Sequence, residues 1–145
     1  MIAIGSDHGG INHKEYIKEF LKANGYEYKD FGTNSSESCD YPDIAKPVCD
    51  AILSGECEKG ILICGTGIGI SISANKIKGI RAALCQDYYT AKYTRLHNDA
   101  NVLCMGGRVI GPGTAEEIVR VFLSTEFEGG RHAARVDKIM ALEDK

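Results

Sequence analysis

The stretch GILICGTGIGISISANK, Gly60 to Lys76, decides the fold. Its first residues, GILIC, are a short apolar run bounded by glycine, which reads as a strand buried on both faces. Gly65, Thr66, Gly67, Ile68 and Gly69 then break the run. GIGISISANKI continues as a helix with few bulky side chains. Strand, glycine turn and helix make half of a βαβ unit. Cys64 stands at the junction.

The same alternation extends in both directions. MIAIGSD is a short apolar strand ending in turn residues. In HGGINHKEYIKEFLKANGY, Ile11, Tyr16, Ile17, Phe20 and Leu21 recur at helical spacing, and Gly25 supplies a stop. YEYKDFG is a second strand and SSESCDYPD a polar loop. Pro42 suits the first turn of a helix running from about Asp43 to Leu53. IRAALC is a strand, DYYTAKYTRLHND a helix and NVLCMG a fifth strand. GPGTAEEIVRVFLST is a helix with Thr114 as its N-cap, and EGGRHAARVDKIMALEDK a last helix with a basic start. Five such alternations predict an α/β fold, a three-layer αβα sandwich, Rossmann-like, with a central five-stranded parallel sheet and a C-terminal helix. At 145 residues the chain suits a single domain, 1–145.

Bulk properties narrow the function. A net charge of −3 gives no basic footprint for nucleic acid. No apolar run reaches membrane-spanning length, and MIAIGSDH lacks the pattern of a signal peptide, so a cytoplasmic location is expected. Cysteines 39, 49, 57, 64, 85 and 104 are irregularly spaced, without a C-x-x-C pair or a Cys/His cluster. They read as small buried hydrophobes, with neither disulfides nor structural zinc expected.

In open α/β sheets, ligands bind at the carboxyl ends of the strands. Asp7, His8, Gly9 and Gly10 follow the first strand, Cys64 and GTGIG the third, and Gly106, Gly107 and Arg108 the fifth. His97, Asn98 and Asp99 follow the helix behind strand four. On this reading His8 and His97 share one edge with Cys64, which suits acid–base work. A thiol at a helix N-terminus is a candidate base or nucleophile, because the dipole and free N–H groups favour thiolate. The alternative is an inert strand thiol, as Cys85 and Cys104 read. GTGIG offers backbone N–H groups to an anion, or is simply a tight turn. It is not a dinucleotide fingerprint, because the third glycine falls on Ile70. Thr66 bonds the thiol or caps the helix. Arg131 and Arg135 stand four apart at a helix start, where the dipole disfavours cations. A bound phosphate explains them; pairing with Glu128 is the alternative. His13 reads as solvated, and His132 shows no distinguishing feature.

GSDHGG, DYPD, GILICGTGIGISISANK, IRAALC, HNDANVL and EGGRHAARV, in this order, resemble the type B ribose-5-phosphate isomerases over nearly the whole chain. Allose-6-phosphate isomerases and the two galactose-6-phosphate isomerase subunits are close relatives of that family. The resemblance implies cofactor-free and metal-free interconversion of ribose 5-phosphate and ribulose 5-phosphate, a step of the pentose phosphate pathway. It implies Cys64 as the base, Thr66 in support, and His97 as the group that opens the sugar ring. Asp7, His8, Tyr41, Asn98, Arg108, Arg131 and Arg135 would contact the substrate, the arginines chiefly its phosphate. Gly65, Thr66, Gly67, Ile68 and Gly69 would supply backbone donors. It implies a homodimer, in some members a tetramer, with His97 facing the Cys64 of a partner chain. Members without the cysteine carry a Glu six residues further on; that position here is Ile70. Both Cys64 and His97 are present, which favours a self-sufficient enzyme over one subunit of a split pair. Two other readings stay open: an isomerase of allose 6-phosphate or another hexose 6-phosphate, and a non-catalytic phosphosugar-binding domain.

Overall fold

The computed structural model describes residues 1–144. In chain order the elements are β1 (Ile2–Ser6), α1 (Ile11–Ala23), β2 (Tyr28–Asp30), α2 (Tyr41–Leu53), β3 (Lys59–Cys64) and α3 (Ile68–Asn75). They continue with β4 (Ala82–Leu84), α4 (Tyr88–Asn98), β5 (Val102–Gly106), α5 (Pro112–Ser124) and α6 (Arg131–Ala141). All the strand pairs are parallel, in the order β2-β1-β3-β5-β4.

The central strand explains the layering. Along β3, Ile61 and Ile63 enter one apolar cluster with Ile17, Leu21, Ile118 and Phe122 of α1 and α5. Leu62 and Cys64 enter the other, with Val48 and Cys49 of α2 and Ile70 of α3. Alternate side chains of one strand therefore bind two helix layers together. Ile61, Leu62 and Ile63 are all 0% exposed, each contributing about 1.5–3 kcal/mol of burial. The edge strands β2 and β4 have only three residues each, which limits edge pairing. Among the described residues, no helix is long and apolar enough to cross a membrane.

Three local expectations need correction. Helix α2 starts at Tyr41, not Asp43, with Pro42 in its first turn. Helix α5 starts at Pro112 behind an extended Gly111, so Thr114 lies inside its first turn and does not cap it. Proline needs no N–H partner and presets the helical φ, so the helix begins there. On α1, Tyr16 is 42% exposed, while Lys14 is fully buried. Lys14 Nζ donates to both carboxylate oxygens of Asp30 at 2.8 Å and to Asn34 Oδ1 at 2.9 Å.

After β1 the chain enters α1 on one face; after β3 it enters α3 on the other. The carboxyl ends of β1 and β3 thus flank a topological switch point, where open α/β sheets hold their ligands.

Candidate active site

Three loops meet at that switch point. Gly107 N donates to Cys64 O at 2.8 Å, Arg108 N to Gly65 O at 2.9 Å, and Asp7 N to Ile63 O at 3.1 Å. Gly67 has φ +79, and a Cβ there would lie 2.6 Å from Leu84 Cδ1 and 2.7 Å from the Met105 carbonyl carbon. Backbone conformation and space both require glycine. A Cβ on Gly69 would lie 2.6 Å from Tyr41 Cζ, so the Tyr41 ring rests on the start of α3. A Cβ on Gly65 would lie 3.2 Å from Arg108 Nη1, which places the guanidinium across the loop.

Cys64 is 4% exposed, and its Sγ accepts a hydrogen bond from Gly67 N at 3.1 Å. Thr66 Oγ1 accepts from Ile68 N at 3.1 Å, at the start of α3. The amides of Gly65, Thr66 and Gly69 donate to nothing among the described residues. They remain available to a ligand oxygen. Asp7 is 5% exposed and accepts from Gly9 N through Oδ1 at 2.8 Å. His8 Nδ1 accepts from Cys39 N at 3.2 Å. A backbone amide only donates, so the neutral His8 ring carries its proton on Nε2 and presents a donor. Burial pushes the Cys49 and Cys85 thiols up to about 11, and Cys104 well above its ordinary value. Thiolate chemistry is closed to them.

His97 does not share this edge. Helix α4 returns the chain to the amino ends of the strands, and Arg81, just before β4, donates through Nε to Asn98 O and Asp99 O, each at 3.1 Å. The length of β5, about 13 Å, separates that edge from Cys64. The expectation of one shared edge within the chain is therefore overturned. It failed because a residue at the end of a crossover helix lies opposite the strand end that launched the helix. His97, Asn98, Arg131 and Arg135 form a second cluster, with Asn98, Arg131 and Arg135 exposed.

Helix α6 docks on α4 beside His97. Glu128 N donates to Leu96 O at 3.1 Å. The His132 ring stacks on His97, centroids 4.0 Å apart and planes 11° from parallel. Tyr93 meets His97 edge-on at 5.1 Å. Arg131 and Arg135 make no ion pair among the described residues, so pairing with Glu128 does not account for them. Glu128 Oε2 instead lies 3.8 Å from His97 Nε2. Donor atoms of His97, Glu128 and His132 lie within 4.8 Å of one another. Nearly parallel rings do not aim their lone pairs at one ion, and two guanidiniums share the helix. The arrangement suits stacking better than metal ligation.

Sequence reasoning missed two histidines. His13 is half-buried and donates from Nε2 to Ile110 O at 2.7 Å, tying α1 to the Arg108 loop. His132 is 4% exposed. The i, i+4 series Tyr89, Tyr93, His97 was visible on one face of α4, but its fourth ring comes from another helix.

The family model described as Ribose/Galactose Isomerase matches residues 2–139. The chain is 57% identical to a solved ribose-5-phosphate isomerase B of Clostridium thermocellum, with a TM-score of 0.97, covering 99% of this chain and 97% of that one. It is 50% identical to the ribose-5-phosphate isomerase B of Escherichia coli, over 99% of this chain and 97% of that protein. A ribose-5-phosphate isomerase B of Mycoplasma genitalium, solved with bound ribulose 5-phosphate, is 43% identical, with a TM-score of 0.95 and 99% and 96% coverage. Together with the parallel sheet and its cysteine-bearing switch point, these matches establish that the chain belongs to the ribose/galactose isomerase family.

Proposed function

We propose that this protein interconverts ribose 5-phosphate and ribulose 5-phosphate through a cis-enediolate, as a step of pentose phosphate metabolism in the cytoplasm. The observation that carries the reading is Cys64 Sγ at the switch point, held by the Gly67 amide beside the unpaired amides of Gly65, Thr66 and Gly69. A base next to prearranged donors is what an enediolate route requires.

The active unit is a homodimer, and each site takes residues from both copies. Two observations support this. His97 lies at the other end of β5 from Cys64 of its own chain, about 13 Å away, and the helix carrying Arg131 and Arg135 stacks on His97 there. Beside Cys64, Ile68 and Ile72 of α3 are 51% and 56% exposed, and Tyr88, Tyr89 and Leu84 extend the apolar surface. Such a patch fits a second copy.

The steps follow. Arg108, with Arg131 and Arg135 of the partner subunit, holds the phosphate and fixes the reacting end through remote binding energy. Ring opening breaks the C1–O4 bond; His97 of the partner subunit takes the O1 hydroxyl proton and returns it to O4. Cys64 thiolate then removes the C2 proton, and charge develops on O1 beside the free amides. The thiol returns that proton to C1, while a proton passes from O2 to O1, giving the ketose.

The test is kcat/KM on ribose 5-phosphate and allose 6-phosphate side by side, with EDTA present. Faster turnover of the five-carbon sugar, unaffected by EDTA, is expected. A preference for the six-carbon sugar would keep the chemistry and replace the substrate. Phosphosugar binding without turnover of either would overturn the catalytic reading.

A further inference from the structure

The buried titratable group left unused above is His132. It is 4% exposed, and its Nε2 is buried without a hydrogen-bond partner. Burial, then the neighbouring His97 and Arg131, hold it below the ordinary histidine value. A buried nitrogen that bonds nothing is a poor reason to keep a histidine for hydrogen bonding. What the ring does contribute is a flat face. It lies 4.0 Å from His97 and nearly parallel to it, while the Tyr93 ring meets His97 edge-on. His97, 36% exposed in its side chain, is thereby braced by rings from two helices.

We propose that His132 is a positioning residue: its stacked ring fixes the orientation of His97 and sets the distance between the ring-opening imidazole and the phosphate-gripping arginines. The second half follows from the chain path. His132 sits on α6 between Arg131 and Arg135, and Arg131 adjoins it directly. Helix α6 meets α4 through this stack, and the segment leading into α6 adds the Glu128 N to Leu96 O hydrogen bond. One ring contact thus links the group that moves a proton at the sugar ring to the helix that holds the other end of the same substrate.

The inference rests on the ring-opening role of His97, so its test must separate the two. Two readouts on the dimeric enzyme do so. Net conversion of ribose 5-phosphate needs ring opening. Exchange of a C1 proton of ribulose 5-phosphate with D2O, followed by NMR, needs Cys64 and the bound phosphate but no ring opening, because that ketose has its O5 phosphorylated and stays open-chain. His132→Ala should lower net conversion about tenfold to a hundredfold, the range for a misplaced acid–base group, while exchange stays within about twofold of wild type. His132→Phe keeps a flat ring and gives up both ring nitrogens, of which the buried Nε2 bonds nothing, so it should recover most of the conversion.

Full conversion in a folded His132→Ala variant would overturn the proposal. So would a folded His132→Phe variant as impaired as His132→Ala, since the nitrogen would then matter. Should either variant fail to fold on thermal unfolding, Tyr93→Leu applies the same test from the other side of His97, and unchanged conversion there would count against ring bracing. His97→Ala is the control. If it leaves net conversion intact, the ring-opening role itself fails, independently of His132.

Discussion

Two neighbouring glycines in the Cys64 loop should respond oppositely to alanine. At Gly67, φ is +79, and the new Cβ would meet Leu84 Cδ1 at 2.6 Å and Met105 backbone atoms at 2.7 and 2.8 Å. The left-handed backbone costs about 1–2 kcal/mol for a residue with a Cβ. Overpacking against main chain adds about 1–3 kcal/mol. Gly67→Ala should therefore lose about 2–5 kcal/mol of stability. It should also lose most of its turnover, because the amide that holds Cys64 Sγ must move. Gly69 has ordinary helical backbone, and the three atoms nearest its new Cβ would all belong to the Tyr41 side chain, which is 40% exposed and free to swing out. Gly69→Ala should keep or slightly raise stability, by at most about 1 kcal/mol of helix propensity. Its cost should appear in KM, through the displaced Tyr41. Urea unfolding followed by circular dichroism, with kcat and KM for each variant, separates the outcomes. Equal stability losses, or a Gly67→Ala enzyme with wild-type kcat, would refute the geometry assigned to this loop.

The other predictions concern groups outside Cys64. Burial raises the Asp30 carboxyl, but hydrogen bonds from Lys14, Lys18 and Gly32 outweigh it and hold the group below its ordinary value. A lowered carboxylate stabilises the fold above its unfolded pKa, and that contribution is lost as pH falls through the folded value. Lys14→Met should thus cost about 3 kcal/mol at pH 7, the low end for breaking a buried pair because Lys18 still holds Asp30. The gap to wild type should narrow on acidification in urea titrations; a constant gap would contradict the pairing. At Cys39 the backbone amide matters and the thiol does not. Cys39→Ala should leave KM unchanged, whereas Cys39→Pro should raise it about fivefold, the worth of one hydrogen bond; equal effects would remove the orienting role of that amide.

Residues 60–76 carried much of what the sequence could reveal. The buried strand, the glycine turn and the cysteine between them were legible because each is local. So was the alternation that makes a parallel sheet, and the polar residues behind β1, β3 and β5 fell where the topology placed them. His97 was misread for a physical reason. Its position depends on the direction of the helix that carries it, and a helix crossover exchanges one sheet edge for the other. His132 was passed over because stacking is a tertiary contact between α4 and α6. Lys14 was invisible because its partner, Asp30, lies on another element, and an apolar-periodicity reading has no place for a lysine on a core face. Thr114 shows a local rule beaten by a stronger one, since Pro112 starts the helix first.

Shared sites are the central claim, and subunit mixing tests it most directly. Cys64→Ala and His97→Ala chains would be purified separately, unfolded together, refolded and assayed on ribose 5-phosphate. Each mixed dimer would hold one site with both groups intact and one with neither. Random assembly of a two-fold dimer then predicts recovery of about a quarter of wild-type activity from two nearly inactive parents. A refolded mixture no more active than its parents would show that Cys64 and His97 do not act across an interface, and would contradict the account.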